Sequence, residues 1–270
     1  MTMSDKVFAG AVPDLYDRLM VPTVFEGYAR ELAGRVVRFE PGDVLEVAAG
    51  TGVVTGLLSA ELPRDTRIVA TDLNQPMLDR AIAKFGNDPR IEWRQADALQ
   101  LPFAAGSFDV VACQFGAMFF PDKAKAYGEA RRVLRDGGHY LFSVWDRLET
   151  NEAAAVVAEA LGELFPDDPP RFLARTPHGY HDAEAIGTSL AVAGFRAIEM
   201  ELQRRTSGPL SARDLATAFC QGTPLRNEIE ARDPEGPGRA TDIVAEALEK
   251  RFGGGVIESA LSALLFTAMH

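Results

Sequence analysis

The stretch from Asp43 to Leu58 constrains the fold more than any other part of the 270-residue chain. It begins with a short apolar run over 44–47, passes through a turn of small residues over 48–52, and continues with apolar residues at helical spacing. A strand, a tight turn and a helix form the front half of a βαβ unit that binds nucleotide-like ligands. Small residues let the backbone approach the ligand, and the helix start offers free N–H groups and a positive dipole end.

Two acidic residues indicate what kind of ligand this unit binds. Glu46 lies inside the predicted strand, where a carboxylate would repel a pyrophosphate and attract a cationic or amine-bearing ligand. Asp72 ends a second predicted strand, 67–71, about twenty residues after the turn, the spacing of an acidic residue that accepts hydrogen bonds from ribose hydroxyls. The alternative for Asp72 is an N-cap of the following helix, although Asn74 can fill that role.

Three further predicted strands follow, over 91–95, 108–113 and 139–145. The run 108–113 is continuously apolar after one polar residue, Asp109, which is typical of a parallel strand buried on both faces. Strands that alternate with helices predict a parallel sheet with right-handed crossovers. The carboxyl ends of such strands share one edge of the sheet, so Asp97 and the segment 114–120 are expected at the same edge as the glycine turn.

The remaining periodicity predicts helices and two long strands. Residues 11–38 are expected to form one or two helices, the second beginning at Pro22. The later predictions are helices over 151–165, 182–193, 211–222, 224–232 and 241–252, and strands over 196–206 and 259–269.

Composition limits the class of function. The net charge of −11 disfavours nucleic acid as a partner, because phosphate contacts dominate nucleic-acid affinity. Cys113 and Cys220 are too few for a disulfide framework or a metal cluster, which fits a reducing cytosol, so no metal site is expected. No signal peptide is expected in residues 1–10 and no membrane span elsewhere, so a cytoplasmic location is expected.

The motifs together resemble those of a known family. The pattern from Glu46 to Gly52, E-x-A-x-G-T-G, resembles motif I of class I S-adenosylmethionine-dependent methyltransferases, usually E/D-x-G-x-G-x-G, with Ala48 in place of the first glycine. The phrase TDLNQPML over 71–78 resembles the second motif, and RVLRDGGH over 132–139 resembles the motif before the fifth strand. On these motifs the chain is identified as a member of this methyltransferase family. It is most similar to the type 11 small-molecule methyltransferases, which include ubiquinone and menaquinone biosynthesis enzymes.

The resemblance implies an α/β fold: a Rossmann-like, doubly wound sheet of seven strands, mostly parallel with the last strand antiparallel, plus a helical cap. The domain boundaries expected from it are an N-terminal helical lid over 1–38, a cofactor-binding core over 39–146, 182–207 and 256–270, and cap insertions over 147–181 and 208–255.

The resemblance also implies the cofactor, S-adenosylmethionine, which leaves as S-adenosylhomocysteine. Glu46 would bind its amino group, Asp72 its ribose and Asp97 its adenine amino group. The full set of expected cofactor-binding residues is Glu46, Ala48, Gly50, Thr51, Asp72, Leu73, Met77, Asp97, Ala98, Gln114 and Phe115. Leu73 and Met77 would line the adenine and ribose, although plain core packing stays open for Met77. Gln114 and Phe115 would contact the methionine part and face the acceptor.

The predicted reaction is an in-line methyl transfer to a small-molecule acceptor. Such a displacement depends on alignment and desolvation, so a strong acid–base constellation is not required. His178 and His181 are candidates for a base, with exposed loop histidines as the alternative interpretation, and no catalytic residue is assigned. A homodimer is also considered.

Two other functions stay open. An NAD(P)-dependent oxidoreductase shares the turn and the acidic residue, but Glu46 and the missing G-x-G-x-x-G disfavour it. A non-catalytic protein that binds S-adenosylmethionine and acts as a regulator would carry the same cofactor motifs.

Overall fold

The computed structural model describes residue 8 and residues 10–270. Most of the segment 1–10, for which no signal peptide is expected, and the start of the proposed lid lie outside the described residues. The strands are, in chain order, β1 Asp43–Val47, β2 Arg67–Asp72, β3 Ile91–Gln95, β4 Phe108–Gln114, β5 Leu134–Trp145, β6 Arg196–Thr206, β7 Leu210–Ser211, β8 Val256–Ile257 and β9 Ala260–Met269.

A seven-stranded sheet organises the fold, with the strand order β3-β2-β1-β4-β5-β9-β6. The pairs β1–β2, β1–β4, β2–β3 and β4–β5 are parallel. His270 N–H donates to Gly138 O at 2.8 Å and Asp146 N–H donates to Ser262 O at 3.1 Å, so β9 runs antiparallel to β5. The predicted sheet of seven strands, mostly parallel with the last one antiparallel, is therefore confirmed.

Helices connect the strands. They are, in chain order, α1 Val12–Leu15, a π-helical segment Tyr16–Phe25, α2 Glu26–Val37, α3 Val53–Glu61, α4 Gln75–Phe85, α5 Lys123–Val133, α6 Glu152–Leu164, α7 Phe172–Arg175, α8 Ala183–Val192, α9 Ala212–Gln221, α10 Leu225–Arg232 and α11 Gly236–Phe252. Among the helices that the structure describes, none combines the length and the apolarity needed to cross a bilayer.

A hydrophobic core packs α2 and α3 against the sheet. Leu32 and Val36 of α2 meet Leu58 of α3, Val44 of β1 and Val110 of β4, all fully buried. Burying each large aliphatic side chain stabilises the fold by about 1.5–3 kcal/mol. The core thereby fixes β1 and α3, and with them the turn that joins them.

The chain divides into two compact units. The first contains Met1–Gly27, Trp145–Tyr180 and Arg204–Ala263, and the second contains Tyr28–Val144, His181–Gln203 and Leu264–His270. The second unit carries the glycine turn and most of the sheet. The interpretation of 1–38 as a lid, and of 147–181 and 208–255 as a cap, stays a prediction.

Several predicted boundaries are wrong. Pro22 does not open a helix: it lies inside the π-helical segment, whose wider turns suit a residue without an N–H. Helix α11 begins at Gly236 rather than at 241, with proline at its first turn. Strand β5 begins at Leu134 rather than 139, with a register shift opposite β4. The two-residue strands β7 and β8 pair antiparallel and were not predicted.

Candidate functional site

The turn between β1 and α3 has a left-handed backbone at three positions. Ala48, Gly50 and Gly52 have φ values of 57°, 57° and 82°. Glycine adopts this region without cost, whereas Ala48 pays the steric penalty of an L-residue there. A Cβ on Gly52 would also lie 3.0 Å from the Cβ of Ala81. The second glycine of the pattern is therefore required by its φ and by the close approach of α4.

Asp72 ties this turn to the end of β2. Its side chain is buried; Oδ2 accepts from Gly50 N–H at 2.9 Å and Oδ1 accepts from Asn74 N–H at 2.8 Å. Asn74 occupies the N-cap position of α4, but its side chain makes no capping hydrogen bond. Burial raises the pKa of Asp72, against the opposing effect of the backbone hydrogen bonds. Asp72 is therefore a buried carboxyl group at the end of β2 that holds the backbone of the glycine turn through Gly50. It is not the N-cap of α4, because Asn74 occupies that position.

Glu46 is a second buried carboxyl beside it, with 2% of its surface exposed. Thr55 on α3 donates its hydroxyl to Oε2 of Glu46 at 2.5 Å. Burial, with a further contribution from the charge of Asp72, raises the pKa of Glu46 to about 8, although the Thr55 hydrogen bond lowers it. No lysine or arginine in the described part of the chain forms an ion pair with Glu46 or Asp72. Two buried carboxyls without a cation favour a cationic ligand.

Thr51, inside the turn, supplies an unsatisfied polar group. It is 1% exposed, and its Oγ1 has no hydrogen-bond partner among the described residues. A buried hydroxyl in this state costs about 1–3 kcal/mol of stability, which a ligand that hydrogen-bonds to it would recover.

The predicted adenine side of the site is open. Leu73, directly after Asp72, is 42% exposed, which is high for a leucine at a strand end. Met77 is buried, with its Cε 3.6 Å from where a Cβ on Gly50 would lie. Asp97 is exposed, and its Oδ1 accepts from Leu99 N–H at 2.9 Å; Ala98 between them is half-buried. Leu73 follows β2, Met77 lies in the first turn of α4, and Asp97 and Ala98 follow β3.

The segment after β4 contacts the glycine turn. Gln114 ends β4, and Phe115 follows with a left-handed φ of 50°. The Phe115 ring is buried and lies edge-on to Tyr28, with 5.4 Å between ring centroids. A Cβ on Gly116 would lie only 2.5 Å from the Cβ of Ala48. The strand order reverses between β1 and β4, and α/β proteins bind ligands at such a point.

His178 differs from its expected environment. It is 6% exposed, so the interpretation as an exposed loop histidine is wrong for this residue. Its Nδ1 lies 2.9 Å from the carbonyl oxygen of Asp146, in the first unit. A carbonyl only accepts, so Nδ1 carries the hydrogen, and in the neutral ring Nε2 carries the lone pair. His181 is half-buried in the second unit.

Sequence reasoning missed Thr55. The available signal was the spacing G-T-G-x-x-T, which places a threonine in the first turn of α3, with its hydroxyl facing back toward β1.

A surface pocket of about 380 Å³ lies at the opposite edge of the sheet, lined by Phe39, Asp109, Arg135 and His139 among others. It is formed at the amino-terminal ends of β4 and β5, so it is separate from the glycine turn. Within the described residues, no group of three or more histidine, cysteine or acidic side chains could hold a metal ion.

Comparison with known proteins agrees with this geometry. A family model described as a methyltransferase domain matches residues 45–142. A demethylmenaquinone methyltransferase of Deinococcus radiodurans is 37% identical over 136 residues, which are 49% of this chain and 56% of that protein. Another, from Thermus thermophilus, is 30% identical over 194 residues, which are 67% of this chain and 87% of that protein.

A solved structure shows the same fold. It is a Haemonchus contortus phosphoethanolamine N-methyltransferase in complex with S-adenosyl-L-methionine, with a TM-score of 0.55 and 17% identity over 97% of this chain and 60% of that one. The strand order of the sheet and the glycine turn between β1 and α3 are thus those of the class I methyltransferase fold. The chain belongs to the type 11 family of S-adenosylmethionine-dependent methyltransferases. It spans only 56% of the length of the Deinococcus relative.

Proposed function

We propose that the protein transfers a methyl group from S-adenosylmethionine to a small-molecule acceptor. The observation that carries this proposal is the turn between β1 and α3. Among the described residues, a buried hydroxyl without a partner, on Thr51 of the turn, lies near two buried carboxyls without a cation, on Glu46 of β1 and Asp72 of β2. A ligand with an ammonium group and a sulfonium centre matches this arrangement in charge.

The residues present fit the cofactor. Glu46 would bind its amino group, and Asp72 would accept from its ribose hydroxyls, since each carboxylate oxygen can accept more than one hydrogen bond. Leu73 offers an exposed apolar surface for the adenine, and Asp97 would accept a hydrogen bond from the adenine amino group. Met77 would line the adenine and ribose together with Leu73, and Gln114 and Phe115 would contact the methionine part. Ala48, Gly50, Thr51 and Ala98 complete the proposed cofactor-binding set.

The bound cofactor supplies an electrophilic methyl group, and the protein's task is to align and desolvate it. The buried carboxyl of Glu46 would hold the cationic end, and the left-handed residues Ala48 and Phe115 fix the backbone on each side of the switch point. The Phe115 ring suits attraction to a cation through its π face. No catalytic base is assigned, and His178 and His181 stay the candidates when the acceptor enters protonated.

The acceptor is proposed to be a planar aromatic ring, as in a reduced quinone. Two relatives are named demethylmenaquinone methyltransferases. The first unit contains a row of rings: Tyr16 stacks on Phe25 with 5.0 Å between centroids, Phe25 lies 5.9 Å from Trp145, and Trp145 lies 6.0 Å from the His178 ring. Such a row supports recognition of a flat apolar acceptor.

Ligand-induced stabilisation tests the cofactor, and product formation tests the reaction. S-adenosylhomocysteine at a hundred times its Kd should stabilise the protein by about 2.7 kcal/mol, whereas NAD and NADP should leave the melting temperature unchanged. Labelled methyl groups should then transfer to a demethylmenaquinol analogue. A shift with NAD or NADP alone would favour the oxidoreductase. Binding of S-adenosylhomocysteine without transfer to a broad acceptor panel would favour the regulator. A cytoplasmic location, a homodimer and the lack of a nucleic-acid partner stay predictions.

A further inference from the structure

We propose that Thr55 is a positioning residue of the methyl-donor site, that it holds the Glu46 carboxyl in place, and that binding of the cationic donor expels a proton from that carboxyl. The inference rests on the proposed function, because it describes the loss of a proton from Glu46 when the proposed cofactor binds at the same site.

The geometry fixes Glu46 from three sides. In the sheet, Glu46 is in register with Ala70 of β2 and Ala112 of β4, so its backbone is held on both edges. From the helix, the fully buried Thr55 donates to Oε2 at 2.5 Å. The carboxyl is therefore confined between the sheet and α3, and the hydroxyl of Thr55 sets its direction.

The groups around Glu46 explain why its carboxyl is protonated in the ligand-free protein. The titratable groups that face it are Asp72 from β2 and Cys113 from β4, and the group from α3 is the neutral hydroxyl of Thr55. Each titratable neighbour is an acid, and no described lysine or arginine pairs with Glu46. Burial raises its pKa to about 8, and the nearby Asp72 adds to this rise. In the protein without ligand the carboxyl therefore keeps its proton at neutral pH.

A bound ammonium group changes this balance. An opposite charge beside the carboxyl favours its ionised form, so the proton leaves Glu46 for the solvent as the cation takes its place. No other bond forms or breaks. The Thr55 hydrogen bond favours the ionised form as well, because it lowers the pKa of Glu46. Thr55 thus contributes to cofactor affinity without touching the cofactor.

Calorimetry with S-adenosylhomocysteine tests the proton release directly. Titrations run from pH 5.5 to 7.5, where the amino group of this ligand stays protonated, in two buffers that differ in their heat of ionisation. The Kd should fall roughly tenfold for each unit by which the pH rises. The difference in binding heat between the two buffers should correspond to the release of close to one proton per ligand bound. Glu46→Gln should abolish both effects.

Two Thr55 variants separate positioning from packing. Thr55→Val keeps the side-chain volume but removes the hydroxyl, so the Kd at pH 7 should rise roughly tenfold. Because the lost hydrogen bond lowered the pKa of Glu46, the pH range over which the Kd changes should shift to higher pH. Thr55→Ser keeps the hydroxyl and should restore the wild-type pH profile.

Binding by the wild-type protein with a Kd independent of pH and a heat independent of buffer would overturn the inference and leave the proposed function standing. An unchanged pH profile in Thr55→Val would remove the positioning role of Thr55. Failure of S-adenosylhomocysteine to bind at any pH would instead overturn the proposed function. Because the wild-type titration alone decides the proton release, a variant that does not fold leaves the test intact.

Discussion

The methyl group of Ala48 occupies the space that any side chain on Gly116 would need. A Cβ on Gly116 would lie 2.5 Å from the Cβ of Ala48 and 2.7 Å from Sγ of Cys113. The turn after β1 and the segment after β4 therefore touch at this point. An alanine in place of the first glycine of the motif is accommodated because its neighbour at 116 carries no side chain.

Gly116→Ala should lower the free energy of unfolding by about 2 kcal/mol, because overpacking at a rigid contact costs about 1–3 kcal/mol. Urea denaturation measures the change. Gly128→Ala is the matched control: it lies in α5, nothing lies within 4 Å of its would-be Cβ, and alanine there should stabilise the helix by up to about 1 kcal/mol. Equal effects at the two positions would contradict the contact.

Ala48→Gly should stabilise the protein by up to about 1 kcal/mol, because it relieves a left-handed alanine with φ of 57°. The control is Ala83→Gly on the exposed side of α4, where glycine should cost about 1 kcal/mol. In the Ala48→Gly background the penalty of Gly116→Ala should also shrink, since one of its two close contacts is gone. Destabilisation by Ala48→Gly as large as that by Ala83→Gly would show that the turn is not strained.

Hydrophobic patterns in the sequence, such as the apolar run after Asp109 that forms buried β4, made much of the fold predictable. The strand 196–206 was placed at its observed bounds, and the turn, Asp72 and the segment after β4 were placed at one sheet edge. The pattern gave no information on contacts that depend on packing. The hydrogen bond from Thr55 to Glu46 joins a helix to a strand, and the bond from Gly50 to Asp72 joins the glycine turn to the end of β2. Strands of two residues, such as β7, are too short to show a period.

Thr51→Val should separate ligand binding from stability. The wild-type hydroxyl is buried and has no partner within the part of the chain that the structure describes, so its removal should leave the free energy of unfolding unchanged or raise it by about 1 kcal/mol. The affinity for S-adenosylhomocysteine should fall roughly tenfold, because the ligand loses its hydrogen bond. Denaturation and calorimetry measure the two effects.

Thr71→Val is the control for that variant. Thr71 is equally buried, but its Oγ1 donates to the carbonyl oxygen of Glu46 at 2.9 Å, so the same substitution should cost about 1 kcal/mol of stability. A loss of stability in Thr51→Val as large as in Thr71→Val would indicate that the hydroxyl of Thr51 is satisfied inside the protein.

The stability of the ligand-free protein should carry a signature of Glu46. Its pKa is about 8 in the folded protein against 4.5 for an unperturbed glutamate, so between these values the folded state holds a proton that the unfolded state has lost. This contribution is fully present below about pH 4.5 and is lost as the pH rises through 8, at up to about 1.4 kcal/mol per pH unit. Asp72, whose pKa is also raised, adds in the same direction.

Glu46→Gln removes the titration while its amide oxygen can still accept from Thr55. The excess of the variant's free energy of unfolding over that of the wild type should be larger by several kcal/mol at pH 8.5 than at pH 5.5, because only the wild type must then bury the negative charge of Glu46. Urea denaturation of both proteins at pH 5.5, 7 and 8.5 measures the difference at each pH, so that all other titrating groups cancel. A difference that stays constant across this range would mean that Glu46 is already ionised in the folded protein, and that a buried anion is stable here without its ligand.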